Sequence, residues 1–177
     1  EMSGTMDLRV RLNADMKDPM VLQKMDSLQS YIETNDQIKV TYSIANVVKQ
    51  MHRTVMDDSL EYEAIPMERE KVNNLFTMYS MSGDPEDFSS LVDYEHSSGL
   101  ITALSAVMST EDVFSFVGSI TDHIEQNFDQ TIDIDVTGMI VVIRDMVLMV
   151  IRSSFFSILV SLVLICPITS FFFDRII

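Results

Sequence analysis

The sequence predicts an α+β domain followed by one membrane-spanning helix. Three observations carry this. Four segments, 5–13, 38–42, 100–108 and 132–136, alternate apolar with polar residues or run apolar over strand length; amphipathic helical stretches separate them; and 153–173 contains no charged residue. Two strand–helix–strand units interrupted by a helical insert make a ferredoxin-like sandwich, with helices covering one face of a four-stranded sheet. Another α+β layer arrangement is the plain alternative. The expected organisation is an α+β domain over 1–138 with its insert at 43–99, a feeder helix over 139–152 and a membrane helix over 153–173.

In 5–13, Met6, Leu8, Val10 and Leu12 share one face and Asp7, Arg9 and Arg11 the other, the period of a half-buried strand. Asp18-Pro19 supplies a cap and a first-turn proline for a helix over 19–34. Val21, Met25, Leu28 and Ile32 face inward there, with Lys24, Asp26 and Gln29 outside. Asn35-Asp36 turns the chain into Ile38, Val40 and Tyr42, the second strand. Ser43 then caps a helix whose apolar face is Ile44, Val47, Val48, Met51 and Val55. An acidic loop over 59–64 follows, and Ile65-Pro66 opens a helix over 65–81 with Val72, Leu75, Phe76 and Tyr79 on one face. Ser82-Gly83-Asp84-Pro85 is a turn, after which a short helix from Pro85 carries Phe88, Leu91 and Val92 inward and ends at Ser97-Ser98-Gly99.

The second unit begins with the strand 100–108. Thr110 is the expected cap of a helix lined by Val113, Val117, Ile120, Ile124 and Phe128, and Ile132, Ile134 and Val136 form the last strand. After Thr137-Gly138 the apolar run from Met139 is broken only by Arg144 and Asp145 before it reaches the uncharged segment. No Gly/Ser- or Pro-rich linker intervenes, so a rigid joint between sheet and membrane helix is expected. The segment 153–173 is about 21 residues, or roughly 30 Å of helix, the thickness of a hydrocarbon core. Pro167 is expected to kink its last third. A buried hairpin helix of a large soluble protein is the alternative.

The net charge of −15 is concentrated before Met146, where 10 of the 12 basic and 26 of the 27 acidic residues lie, a net of −16. A domain that acidic repels nucleic acid and anionic headgroups, so no nucleic-acid partner is expected. The single cysteine, Cys166, excludes an intrachain disulfide. Arg175, just past the span, fits a cytoplasmic exit and puts 1–150 on the extracytoplasmic side. An opening residue other than methionine, and an end close behind the hydrophobic run, give the expectation that the chain is a piece of a longer protein.

His52, His96 and His123 lack partners at ligand spacing, and the acidic pairs Asp57-Asp58 and Asp133/Asp135 lack the glycine and spacing of a calcium loop. With no nucleophile triad, phosphate loop or dinucleotide fingerprint, no enzymatic activity, metal or cofactor is expected. The fourteen methionines offer soft sulfur, but Met6, Met25 and Met51 lie on apolar strand and helix faces where packing accounts for them. The one binding surface the pattern offers is on 65–81, where Met67, Met78 and Met81 accompany Leu75 and Phe76 in a soft apolar face for a hydrophobic ligand. The competing reading is that this stripe packs on the sheet.

From Gly4 to Phe173, the chain resembles an extracytoplasmic loop and following helix of a resistance-nodulation-division (RND) superfamily exporter, near its hydrophobe-exporter (MMPL) branch. The likeness is carried by Gly4 before the first strand, Asp18-Pro19, Tyr42-Ser43, the insert opened by Ile65-Pro66, and Thr137-Gly138. It implies a porter subdomain of a proton-driven, multi-pass pump in the cytoplasmic membrane that handles hydrophobic or amphiphilic compounds. The partners implied are the lipid bilayer, the parent's remaining membrane helices, its second porter loop and a homo-oligomer. The coupling acids of that family sit in a central membrane helix not present in this sequence, so the resemblance gives Asp174 no proton-relay role. A single-span sensor with an extracytoplasmic ligand-binding domain is the alternative.

Overall fold

The computed structural model describes residues 6–82, 89–128 and 132–173 of the 177-residue chain. Gly4, the Gly83-Asp84-Pro85 turn, the start of the short helix after it with Phe88, and Asp174 lie outside the described residues. Two compact units result, Glu1–Val141 and Val142–Ile177.

The first unit is α+β, built on a four-stranded antiparallel sheet. Its strands are β1 (Met6–Asn13), β2 (Ile38–Tyr42), β3 (Ser98–Ser105) and β4 (Asp133–Thr137), in the order β2-β3-β1-β4. The helix α1 (Pro19–Glu33) joins β1 to β2, and α4 (Thr110–Asn127) joins β3 to β4. Between β2 and β3 lie α2 (Ile44–Val55), a 3-10 turn (Leu60–Tyr62) and α3 (Arg69–Ser82). β1 pairs with β3 along its whole length and with β4 from Arg9 to Asn13. Met6, Leu8, Val10 and Leu12 are all buried, as their alternation predicts, while Arg9 and Arg11 emerge on the other face, where Arg11 meets Asp135 at 2.6 Å. Stacking of Tyr31 of α1 on His123 of α4, with ring centroids 3.8 Å apart, places both helices on the same side of the sheet.

Several elements depart from the expectation. Leu22 takes the buried place in α1 expected of Val21, which is half-buried, and Gln29 is buried rather than exposed. Its amide donates to Thr41 Oγ1 (2.8 Å) and accepts from Ser43 Oγ (2.6 Å), so the polar group is satisfied inside. The apolar alternation of β2 splits between faces. A register shift between Ile38 and Val40 flips the strand, which leaves Ile38 half-buried and Val40 and Tyr42 exposed. α3 begins at Arg69 and not at Ile65, because Pro66 holds Ile65 out of the helical region. Ser98-Gly99 opens β3 instead of ending a helix, and Ser109 caps α4 in place of Thr110, its Oγ accepting from the Asp112 N–H. In α4, Phe116 is buried, whereas Ile124 and Phe128 are half-exposed.

The helix α5 (Met139–Phe173) has 35 residues and is assigned as helix through Pro167. Its opening belongs to the first unit. Ile140 and Val141 are buried, and Met139 N–H donates to Asp7 Oδ1 at 3.1 Å. From Val142 on it is the second unit, long and apolar enough to cross a membrane and with none of its most apolar stretch buried. At about 1.5 Å per residue it exceeds a hydrocarbon core of roughly 30 Å, so the turns carrying Arg144, Asp145 and Arg152 need not enter lipid.

Gly138 links β4 to α5 at a φ of +105°, and a Cβ there would stand 2.6 Å from the Asp7 carbonyl oxygen. Both the backbone angle and the close approach require glycine. Gly138→Ala is expected to lower unfolding free energy by about 1–3 kcal/mol, measured by urea denaturation.

Candidate functional site

The insert builds an apolar opening in the first unit. Arg53 is in the last turn of α2, whose end is followed by Asp57 and Asp58, both at a φ of +57°. This left-handed pair, tolerated better by aspartate than by most side chains, reverses the chain. Arg53 fixes the loop that results, with Nε 2.9 Å from Asp58 Oδ1 and Nη1 3.1 Å from Glu63 Oε2. His52 Nδ1 donates to the Ala64 carbonyl at 2.7 Å, and its ring meets Tyr62 edge-on at 5.7 Å. So pinned, the loop returns along α2 and delivers the buried Ile65 and Pro66 to the base of α3.

Between these segments lies a groove of about 600 Å³. One wall is the end of α2, with His52, Val55 and Met56; the other is the outer stripe of α3, with Lys71, Asn74, Leu75 and Met78. Tyr62, Ile65, Pro66, Met67 and Glu68 complete the lining. That size is in the usual range for small-molecule sites, roughly 300–1,000 Å³. Glu68 and Lys71 form an ion pair at 2.8 Å on the rim, where both stay solvated.

Of the residues singled out from the sequence, Met67 and Met78 line this groove in the open, Leu75 lies buried at its floor, and Met81 is exposed away from its lining. Phe76 does not line it either. Adjacent helical residues point about 100° apart, and Phe76 turns instead to Ile44, Val48 and Met51 of α2, with its ring edge-on to His96 at 5.3 Å. It is 3% exposed and belongs to the core. Val55, Met56 and Tyr62 were not singled out from the sequence; Val55 continues the inward period of α2, and only the pair of left-handed aspartates after it reveals that the helix ends there with its last apolar residues uncovered. Among the described residues, no three His, Cys, Asp or Glu side chains gather to hold a metal ion.

A second, polar hollow lies where α3 begins. Arg69 there pairs with Asp15, which also accepts the Lys17 N–H at 2.9 Å. Burial alone raises the Asp15 carboxyl, but the Lys17 N–H and the Arg69 guanidinium outweigh it and hold the group below its ordinary value. Hydrogen bonding from Arg11 lowers Asp135 in the same sense. These pairs tie the insert to the turn between β1 and α1, and β4 to β1.

Phe76→Ala is expected to cost about 3–5 kcal/mol of stability, the range for truncating a buried aromatic. Met67→Ala, at a site 76% exposed, should stay within about 0.5 kcal/mol in the same urea titration. Because Asp15 and Asp135 are depressed in the folded state, the stability they lend is present above the unfolded carboxylate value of about 3.9 and lost as pH falls through the folded value. Thermal midpoints should therefore drop below about pH 4, and drop less in an Asp15→Asn, Asp135→Asn double variant. Set against family models, curated proteins and solved structures, the chain matches none of them.

Proposed function

We propose that this chain is part of a proton-driven, RND-type membrane exporter, in which the α+β unit is a substrate-handling porter subdomain of ferredoxin-like topology. The strand order β2-β3-β1-β4, with one helix joining β1 to β2 and another joining β3 to β4, supports that topology. The observation that carries the functional reading is the apolar groove between α2 and α3, on a unit whose chain continues into a helix able to cross a membrane. An open site lined by Val55, Met56, Leu75 and Met78 suits hydrophobic or amphiphilic compounds, and methionine adapts to unlike shapes.

In this reading 1–150 lie outside the cytoplasmic membrane, and the parent's other membrane helices and second porter loop are the partners, within a homo-oligomer. The reading assigns this chain no catalytic residue, metal or cofactor. The proton-coupling acids lie in the parent's other helices.

The test is efflux of N-phenyl-1-naphthylamine from cells expressing the whole reading frame, with and without a proton-gradient uncoupler. Efflux that stops with the uncoupler, and falls about tenfold in Met78→Asp while the variant stays folded, is the expected result. Efflux indifferent to the gradient overturns the exporter. A kinase or methyl-accepting signalling domain after Ile177 in the reading frame would identify a ligand sensor instead.

A further inference from the structure

We propose that the groove is a redox-responsive site, in which the thioethers of Met56, Met67 and Met78 are oxidised by peroxide-class oxidants and so convert an apolar ligand-binding wall into a polar one. The proposal rests on the reading that this groove takes an apolar ligand. It adds a regulation of that site by chemistry its own walls supply.

Placement singles these sulfurs out. Met56, Met67 and Met78 are 39%, 76% and 46% exposed, and all three line one opening. Met6, Met16, Met25 and Met108 are buried at 8% exposure or less and are sealed from a dissolved oxidant. Met67 has a waiting partner as well, since Gln23 Nε2 lies 2.8 Å from its sulfur. An amide N–H is a weak partner for a thioether and a good one for a sulfoxide oxygen, so a rotation of the Gln23 side chain away from the sulfur gives the oxidised form a donor that the thioether hardly uses.

The step balances without a further reactant. A sulfur lone pair attacks one peroxide oxygen, the O–O bond breaks, the S–O bond forms, and the other oxygen leaves as water after proton transfer. Sulfur loses two electrons and the peroxide gains them. Each conversion replaces a flexible apolar end with a strong dipole, which an apolar ligand cannot satisfy. Three such dipoles around one opening change most of its methionine surface together. Reduction by a sulfoxide reductase restores the thioether, so the change is reversible.

The test uses the full chain in phosphatidylcholine nanodiscs, photolabelled with an alkyl diazirine before and after hydrogen peroxide, with labelled and oxidised positions read by peptide mass spectrometry. The expected result is labelling at groove residues such as Val55, 49% exposed, that falls about fivefold or more once sulfoxides form at the three positions. The triple variant Met56→Leu, Met67→Leu, Met78→Leu should keep its labelling through peroxide, since leucine preserves volume and cannot be oxidised this way. A variant with Met20→Leu and Met81→Leu, exposed methionines away from the groove lining, should respond as the original chain does. Labelling that persists with sulfoxides present at all three positions overturns the redox proposal and leaves the groove reading standing. Sulfoxides that form first at the buried methionines also overturn it. No labelling of the groove even before peroxide overturns the groove reading, and the switch falls with it.

Discussion

The two-sided pairing of β1 is the constraint on which the α+β unit depends. Because β1 hydrogen-bonds to β3 on one side and β4 on the other, its inner face of Leu8, Val10 and Leu12 is sealed without remainder and its outer face is left to ion pairs. A one-residue slip would bury Arg9 and Arg11 and expose the leucines, so the register is fixed by the cost of burying charge. The same strand sets the corner that leads to α5. Asp7 accepts the first helical N–H, and the Asp7 carbonyl passes so near Gly138 that no side chain fits there.

The insert obeys a different constraint. α3 buries Val72 and Phe76, the latter against α2, and carries a second stripe that runs from Leu75, buried at the floor of the groove, to the exposed Met78 at its wall. The loop from Asp57 to Pro66 approaches that stripe without closing on it, because Arg53 holds its acidic turn against the end of α2. The opening is thus a consequence of how the loop is anchored. A hydrophobic patch held open by an ion-pair network is the exposed surface on which the proposed ligand reading rests.

How much of this was legible follows from which forces act within a few residues. The β1 alternation, the Asp18 cap and the uncharged 153–173 run are local, and each was readable. β2 was legible as a strand with its bounds, but its facing was not, because the shift at Lys39 reverses which face its apolar residues reach and no local signal announces it. Gln29 reads as a surface residue until Thr41 and Ser43, brought beside it by the β2–α2 corner, satisfy its amide. The candidate site was legible in part for the same reason. Leu75 and Met78 follow from helical spacing, whereas Met67 reaches the groove from the loop ahead of α3, and assigning Phe76 to core requires knowing where α2 packs. The part played by Val55 and Met56 depends on a reversal at two left-handed aspartates.

Charge decides what the groove can discriminate. Its basic neighbours are already committed, Arg53 to Asp58 and Glu63, Lys71 to Glu68, and Arg69 to Asp15. An anionic headgroup would have to displace one of these acids, on a chain that is acidic overall, so strong selection by negative charge is not built in. Selection is left to shape and to the apolar walls, where methionine is the most yielding residue available. That yielding quality comes from an unbranched chain and a polarisable sulfur lone pair, and the lone pair is also what accepts an oxygen atom from a peroxide. Breadth of ligand and sensitivity to oxidation are therefore one property of the same three atoms, and a groove lined with leucine would give up both.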